Sequence, residues 1–348
     1  MHMADALLSP AVGLSMDAAA AGLAVWAARQ FVREEQHQET IPLAGVLGAF
    51  VFGAQMLNFA IPGTGSSGHI GGGLLLAMML GPWAGFLTLA AVLFMQCLFF
   101  ADGGLLALGC NIVNLGFWPC FVGLPLYRLL AGRKAAPRRQ AVAAVTAAVC
   151  SLQLGAFGVA VETLLSGRTE LPFAAFVPVM AGIHLPIGLV EGVMTAAVLR
   201  FVARTRPEIL TEAAARAGAA VRTPWRPVIA GFALAALFCA GVAAWFASTH
   251  PDGLEWAVGR ISGRAEPAGR GGLAARLGKI QEKTALFPDY GFRQAVPAAP
   301  AKTTPAWPAV DAGASVSGIL GAALTAALVA GVTGILFLLR RGQSRKRV

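Results

Sequence analysis

The chain has 348 residues, 57% of them hydrophobic and only 13% charged, with mean hydropathy +0.68 and a formal net charge of +10. Soluble domains carry about 25% charged residues, so the composition excludes an ordinary soluble globule. The basic residues lie between apolar runs, where they orient a chain in a membrane, which argues against a nucleic-acid-binding role; the expected fold class is an all-α, multi-pass membrane protein.

The opening stretch "MHMADALLSP" has no basic n-region and no convincing processing site, so it is expected to stay as the mature N-terminus, with Met1 retained before the bulky His2. Apolar runs long enough for a hydrocarbon layer of about 30 Å follow at Ala11 to Phe31, Ile41 to Phe59, Trp83 to Phe100 and Leu105 to Leu130. Others are Ala141 to Leu165, Phe173 to Leu199, Val228 to Phe246 and Val316 to Leu339. In "MDAAAAGLAVWAA", the small residues Ala18, Gly22, Ala20 and Ala24 permit close helix packing, within the bundle or against a partner. Cys97, Cys110, Cys120, Cys150 and Cys239 stand singly in apolar spans and read as packing residues.

Basic clusters set the sidedness. One contains Arg128, Arg133, Lys134, Arg138 and Arg139; a second runs from Arg200 through Arg204, Arg206, Arg216 and Arg222 to Arg226; a third, with Arg340, Arg341, Arg345, Lys346 and Arg347, ends the chain. Arg29 and Arg33 form a weaker one. All are expected on the cytoplasmic side, which requires an even number of crossings between Arg29 and Arg128, where three spans are visible. The segment "IPGTGSSGHIGGG", followed by a short helix from Gly72 to Leu80, is expected to supply the fourth by dipping into the membrane, as backbone buried in protein can.

The count becomes seven crossings up to Arg200, with the N-terminus outside, then two helices flanking an external insert and a cytoplasmic C-terminus in a cell (inner) membrane. The corresponding units are 1–204, a transmembrane component; 205–226, a cytoplasmic linker; and 227–348, an accessory module with external loop 248–314. A loop of more than about 60 residues crosses largely regardless of its charge. Rich in Gly, Pro and Ala, the insert reads as an extended linker, with "PDGLEWAV" and "LFPDYGF" as islands ordered enough to dock. No convincing internal repeat is visible.

Met1 and His2 offer three nitrogens in sequence: the α-amine, the His2 amide and its imidazole. Fused chelate rings of nearly planar nitrogen donors suit Ni(II) or Cu(II) rather than Zn or Mg. His69, in the glycine-rich outer loop, is the candidate fourth donor. Ser66, Ser67 and Gly68 beside it, with Thr64, are candidate supports through hydrogen bonds to the ligands. His37, among Glu34, Glu35 and Glu39, reads as solvated.

His184 and Glu191 lie seven residues apart on one helix face, and intramembrane ionisable groups point to a transport role. Glu191 and Glu162 also fit a packing role. "GRGGLAARLGKI" is no phosphate loop, since Leu273 stands where Gly is needed and Ile280 where Ser or Thr is needed; no HExxH occurs either. Energy must then come from another subunit or an ion gradient. Two rivals remain: an ion-gradient-driven permease with Glu191 and His184 as a proton relay, and an intramembrane hydrolase pairing Ser66 or Ser67 with His69 or His184, which lacks an orienting acid near the loop.

"MHMADALLSP", "SSGHIGGGLLLAMMLGPWAG", "DGGLLALGCNIVNLG" and "HLPIGLVEGVMTAAVL" closely resemble the cobalt/nickel substrate-binding (CbiM/NikM) components of energy-coupling-factor ABC transporters, over roughly Met1 to Arg204. "HPDGLEWAV" with "LFPDYGF" resembles the PDGLE domain, fused at the C-terminus. The resemblance implies a seven-helix bundle whose N-terminal segment tucks inward, with ligands at Met1, His2 and His69. It also implies partners: a transmembrane coupling (T) component and two cytoplasmic ATPase subunits. The expected substrate is Ni2+ or Co2+, with no cofactor and no bond chemistry of its own, and the planar donor set favours nickel. At Ala6 and Leu7 the chain departs from the family, which usually has a glycine and an aromatic residue there.

Overall fold

Proline and glycine mark where the helices start and stop. The computed structural model describes residues 1–34, 40–132, 136–168, 170–205, 226–264, 271–293 and 307–345. Helix α1 (Pro10–Arg33) begins with Pro10 in its first turn, and the Ser9 hydroxyl caps it by accepting the Val12 N–H. After α2 (Thr40–Gln55), strands β1 (Phe59–Ile61) and β2 (Ser66–Gly68) form a small antiparallel hairpin with Ala60 opposite Ser67. Gly72 takes the left-handed conformation (φ +76°) that turns the chain into α3 (Gly73–Leu80), and Gly81 with Pro82 starts α4 (Pro82–Phe100).

Helix α5 (Leu108–Ala131) is π-helical from Val113 to Gly123; Pro119, inside that stretch, has no N–H to give to the regular ladder. The long helices α6 (Pro137–Leu165) and α7 (Phe173–Thr205) pack along each other. The C-terminal part comprises α8 (Arg226–Gly241), α9 (Gly253–Ser262), α10 (Leu273–Thr284) and α11 (Ala312–Arg345).

Among the described residues, six helices are long and apolar enough to cross a membrane: α1, α4, α5, α6, α7 and α11. Both α2 and α8 have 16 residues, about 24 Å at 1.5 Å per residue, and α3 is shorter still and buried along its whole length. The chain is thus the all-α, multi-pass membrane protein that the composition implies.

Several boundaries differ from the apolar runs. The fourth span starts at Leu108, because residues 101–107 form a loop around the N-terminal strap, and α8 stops at Gly241, before a 3-10 turn over Ala243–Phe246. The insert is more than an extended linker. Asp252 and Glu255 form a reciprocal capping box that starts α9, and Gly263 ends it in the left-handed region. Close helix approach falls on α2, where a Cβ on Gly45 would lie 2.9 Å from the Ala326 carbonyl of α11 and one on Gly53 3.0 Å from the Ala236 carbonyl of α8, and on α1 at Met16 and Asp17, whose backbone would lie 2.3 Å from a Cβ on Gly109. On α1, Ala20 is buried, whereas Ala18 and Gly22 are exposed. Through α2 the two C-terminal helices are packed onto the N-terminal bundle. His37, most of the 205–226 linker, Arg133, Lys134, Lys346, Arg347 and residues 294–306 lie outside the described residues.

Candidate metal site

The first four residues run into the end of the bundle without secondary structure of their own, so every buried amide there needs another partner. Met3, fully buried, donates its N–H to Asn111 Oδ1 (2.7 Å) and accepts at its carbonyl from Gly104 N–H (2.9 Å). Asp5 Oδ1 accepts the N–H groups of Leu106 (2.8 Å) and Ala107 (3.2 Å). Only glycine fits at 104, where a Cβ would stand 1.8 Å from the Asp5 carboxylate. Ala6 and Leu7 form part of a 3-10 turn, with Leu7 buried.

The His69 loop is fixed from the other side. Glu191 of α7 accepts the N–H groups of Gly71 (3.1 Å) and Gly72 (3.0 Å), and Gln55 donates to the Gly71 carbonyl at 2.8 Å. His69 Nδ1 lies 3.1 Å from the Ile70 carbonyl, which only accepts. Nδ1 therefore carries the proton, leaving the Nε2 lone pair to accept a hydrogen bond or bind a cation. That Nε2 is 3.3 Å from the Met1 amino nitrogen, and the His2 ring stacks on the His69 ring with centroids 5.2 Å apart and planes 21° apart. Burial lowers the pKa of both rings, the Met1 ammonium adding to the effect, so that both favour the neutral form that can bind a cation. Among the described residues no three His, Cys, Asp or Glu side chains are arranged to hold a metal. A cation seated between the two histidines would have to draw further donors from the amine and amide of the first two residues.

The insert packs over this site. Asp252, at the start of α9, places Oδ2 2.9 Å from the Met1 nitrogen. Burial alone would raise the pKa of this carboxyl, but the Met1 ammonium and the Glu255 N–H hold it well below the usual carboxylate range. Next to it, the Pro251 carbonyl accepts the Ser67 N–H at 2.8 Å, and Trp256 Nε1 donates to the Thr64 carbonyl at 2.9 Å. The second island brings Tyr290, whose hydroxyl donates to Asp102 Oδ2 at 2.6 Å; Asp102 Oδ1 lies 3.3 Å from His2 Nδ1. A cavity of about 570 Å³ beside the histidines is lined by His2, His69, Asp102, Asp252, Glu255 and Asp289, among others.

The structure thus brings Met1, His2 and His69 together, as expected, and moves other residues into different roles. Ser66 and Ser67 do not hold the histidines: Ser66 Oγ pairs with Thr64 Oγ1 (2.8 Å), and Ser67 Oγ donates to the His250 carbonyl (2.8 Å), because the hairpin edge faces the insert. Gly68 packs against Ile187, which would stand 2.5 Å from a Cβ there. Glu191 clamps the loop backbone, whereas His184 bonds through Nδ1 to the Met180 carbonyl (2.8 Å) and lies against Gly253. Among the described residues no hydrogen bond links His184 to Glu191. Glu162 accepts from Asn114 Nδ2 at 2.8 Å. Asp102, Asp252 and Tyr290 were missed; the sequence marks the islands that hold Asp252 and Tyr290, but not what each island meets.

A multi-pass helical bundle with an imidazole and amine pocket at one end, closed by a docked insert, has the form of a membrane transport component for a small cation. Residues 2–209 match the family model of the cobalt uptake substrate-specific transmembrane region, CbiM, and residues 226–340 match the PDGLE domain. The chain belongs to the CbiM family, with a PDGLE domain following in the same polypeptide.

It is 32% identical to the fused nickel transport protein NikMN of Rhodobacter capsulatus, with 98% of this chain and 99% of the relative aligned. It is 34% identical to the probable fused nickel transport protein LarMN of Lactiplantibacillus plantarum, over 67% of this chain and 73% of the relative. The match to the putative fused nickel transport protein NikMN of Archaeoglobus fulgidus, at 39% identity, takes in 51% of this chain and 58% of the relative, so there the chain spans little more than half the relative's length. A crystal structure of a truncated transition metal transporter superposes with a TM-score of 0.52 at 31% identity, covering 59% of this chain and 99% of that one.

Proposed function

We propose that this chain is the substrate-specific membrane subunit of an ATP-driven energy-coupling-factor importer that takes up Ni2+, or Co2+, across the cell membrane. The observation that carries the reading is the meeting of the Met1 nitrogen with His69 Nε2 at 3.3 Å, beside the stacked ring of His2. The amine, the His2 amide and its imidazole form fused chelate rings, His69 supplies the fourth nitrogen, and such a plane favours nickel. The N-terminus and insert face outward and the C-terminus faces the cytoplasm. A transmembrane coupling component and two cytoplasmic ATPase subunits drive release, and the chain itself catalyses no bond chemistry. The unit boundaries near residues 204 and 226 separate the metal-binding bundle from the accessory module. The names of the relatives, and the separate engagement of His184 and Glu191, favour this reading over a proton relay or a hydrolase.

Isothermal titration of the detergent-purified chain with Ni(II) and Co(II) tests it. Wild type is expected to bind one ion per chain, and His2→Ala or His69→Ala to abolish binding. Proteoliposomes holding this chain alone are expected to show no nickel uptake under a proton gradient; uptake there would overturn the proposal in favour of the permease.

A further inference from the structure

We propose that Asp102, braced by Tyr290 of the insert, is a positioning residue that competes with the metal ion for the chelating nitrogen of His2. The inference rests on the reading of Met1, His2 and His69 as ligands.

Covalent geometry selects the nitrogen. A metal on the His2 amide closes a six-membered ring only through Nδ1 of the same residue, by way of Cα, Cβ and Cγ, whereas Nε2 points away from its own backbone. Nδ1 is also the atom that lies 3.3 Å from Asp102 Oδ1. An imidazole nitrogen has a single in-plane position for a proton or a metal, so Nδ1 cannot donate to Asp102 and coordinate an ion together. Loading requires the ring to leave the carboxylate, by a half-turn about Cβ–Cγ or by a shift of the strap.

Asp102 is well fixed for this role. It follows the end of α4, where its N–H donates to the Gln96 carbonyl at 3.1 Å, and the Tyr290 hydroxyl holds its second oxygen at 2.6 Å. The Tyr290 ring is stacked on Phe100, centroids 5.0 Å apart, so the insert reaches His2 through a rigid chain of groups. Asp102 meets the His2 ring at Nδ1, while Nε2 is buried without a hydrogen bond among the described residues and the Gln96 side chain also acts on the ring. Folding of the insert is thereby tied to the position of His2, separately from the contact between Asp252 and Met1.

A carboxylate near a cation site also attracts the ion through its field, and that effect has the opposite sign. Asp289 separates the two, because it lines the same cavity and, among the described residues, makes no hydrogen bond or ion pair with His2. The test measures Ni(II) affinity of the full chain in detergent, by competition with a chromogenic chelator, for wild type, Asp102→Asn and Asp289→Asn. Asp102→Asn is expected to bind nickel at least about fivefold tighter than Asp289→Asn, the scale set by giving His2 Nδ1 a neutral in place of a charged neighbour, with the absorption spectrum of bound nickel unchanged. Asp102→Ser, which removes the carboxylate in a smaller side chain, is expected to give the same order and guards against a folding defect in one variant. Equal or weaker binding in both Asp102 variants would overturn the proposal while leaving the ligand assignment in place. Nickel binding that survives His2→Ala and His69→Ala would instead remove the ligand assignment, and this inference with it.

Discussion

The two halves of the site are built by different parts of the chain and held by different kinds of contact. The inner half belongs to the bundle: Glu191 and Gln55 hold the Gly71–Gly72 turn, and Asn111 and Gly104 hold Met3, by hydrogen bonds to backbone groups buried among helices. The outer half belongs to the insert: Asp252 meets the Met1 amine, the His250–Pro251 carbonyls meet Ser67, and Tyr290 braces Asp102. Buried backbone groups left unpaired are costly, so the inner contacts form a fixed frame. The outer ones join the insert to the bundle across 183 to 251 residues of chain, against 16 to 120 for the inner ones, and so form a cover on that frame.

The largest effect is expected from moving the amine itself. A single residue added before Met1 shifts it out of reach of His69, and calorimetric nickel affinity should fall by more than about 100-fold, beyond the 10–100-fold typical of losing an outer-shell partner; retained affinity would break the division of the site proposed above. Glu191→Gln, which takes the charge from two backbone hydrogen bonds of the frame, should lower affinity by about 10–100-fold. It should also lower the melting temperature in detergent.

Asp252→Asn touches the cover. Its partner Met1 is buried and Asp252 itself is 16% exposed, so the cost should fall between those of surface and buried ion pairs, about 1–3 kcal/mol. It should show as faster proteolysis within the insert, with the bundle unaffected. Ser67→Ala removes one hydrogen bond to the insert, worth about 1 kcal/mol, and should raise hydrogen exchange at the insert backbone while leaving nickel affinity within about twofold. If Ser67→Ala weakened binding as much as Glu191→Gln, the distinction between frame and cover would fail.

Much of the fold was legible because apolar length is a local property: the runs at Ala11, Trp83, Ala141 and Phe173 each fall within a helix. His2 and His69 stood out for a similar reason, as rare polar residues in an apolar chain beside unusual backbone. Asp102, Asp252 and Tyr290 were not legible in that way. Asp252 sits 251 residues from Met1, and Tyr290 sits 188 from Asp102, and no periodicity reports a contact across such a separation. The hairpin at Phe59–Ile61 and Ser66–Gly68 was hidden too, since its strands are only three residues each and one of them is Ser-Ser-Gly. Helix α10 was obscured by its opening glycines and its low apolar content.

The account depends on nitrogen coordination by Met1, His2 and His69, and X-ray absorption at the nickel edge of the loaded, detergent-purified chain measures this directly. It predicts a square-planar ion with four nitrogen neighbours, and loss of that signature in His69→Ala. A six-coordinate, oxygen-rich nickel centre in wild type, unchanged by His69→Ala, would contradict it.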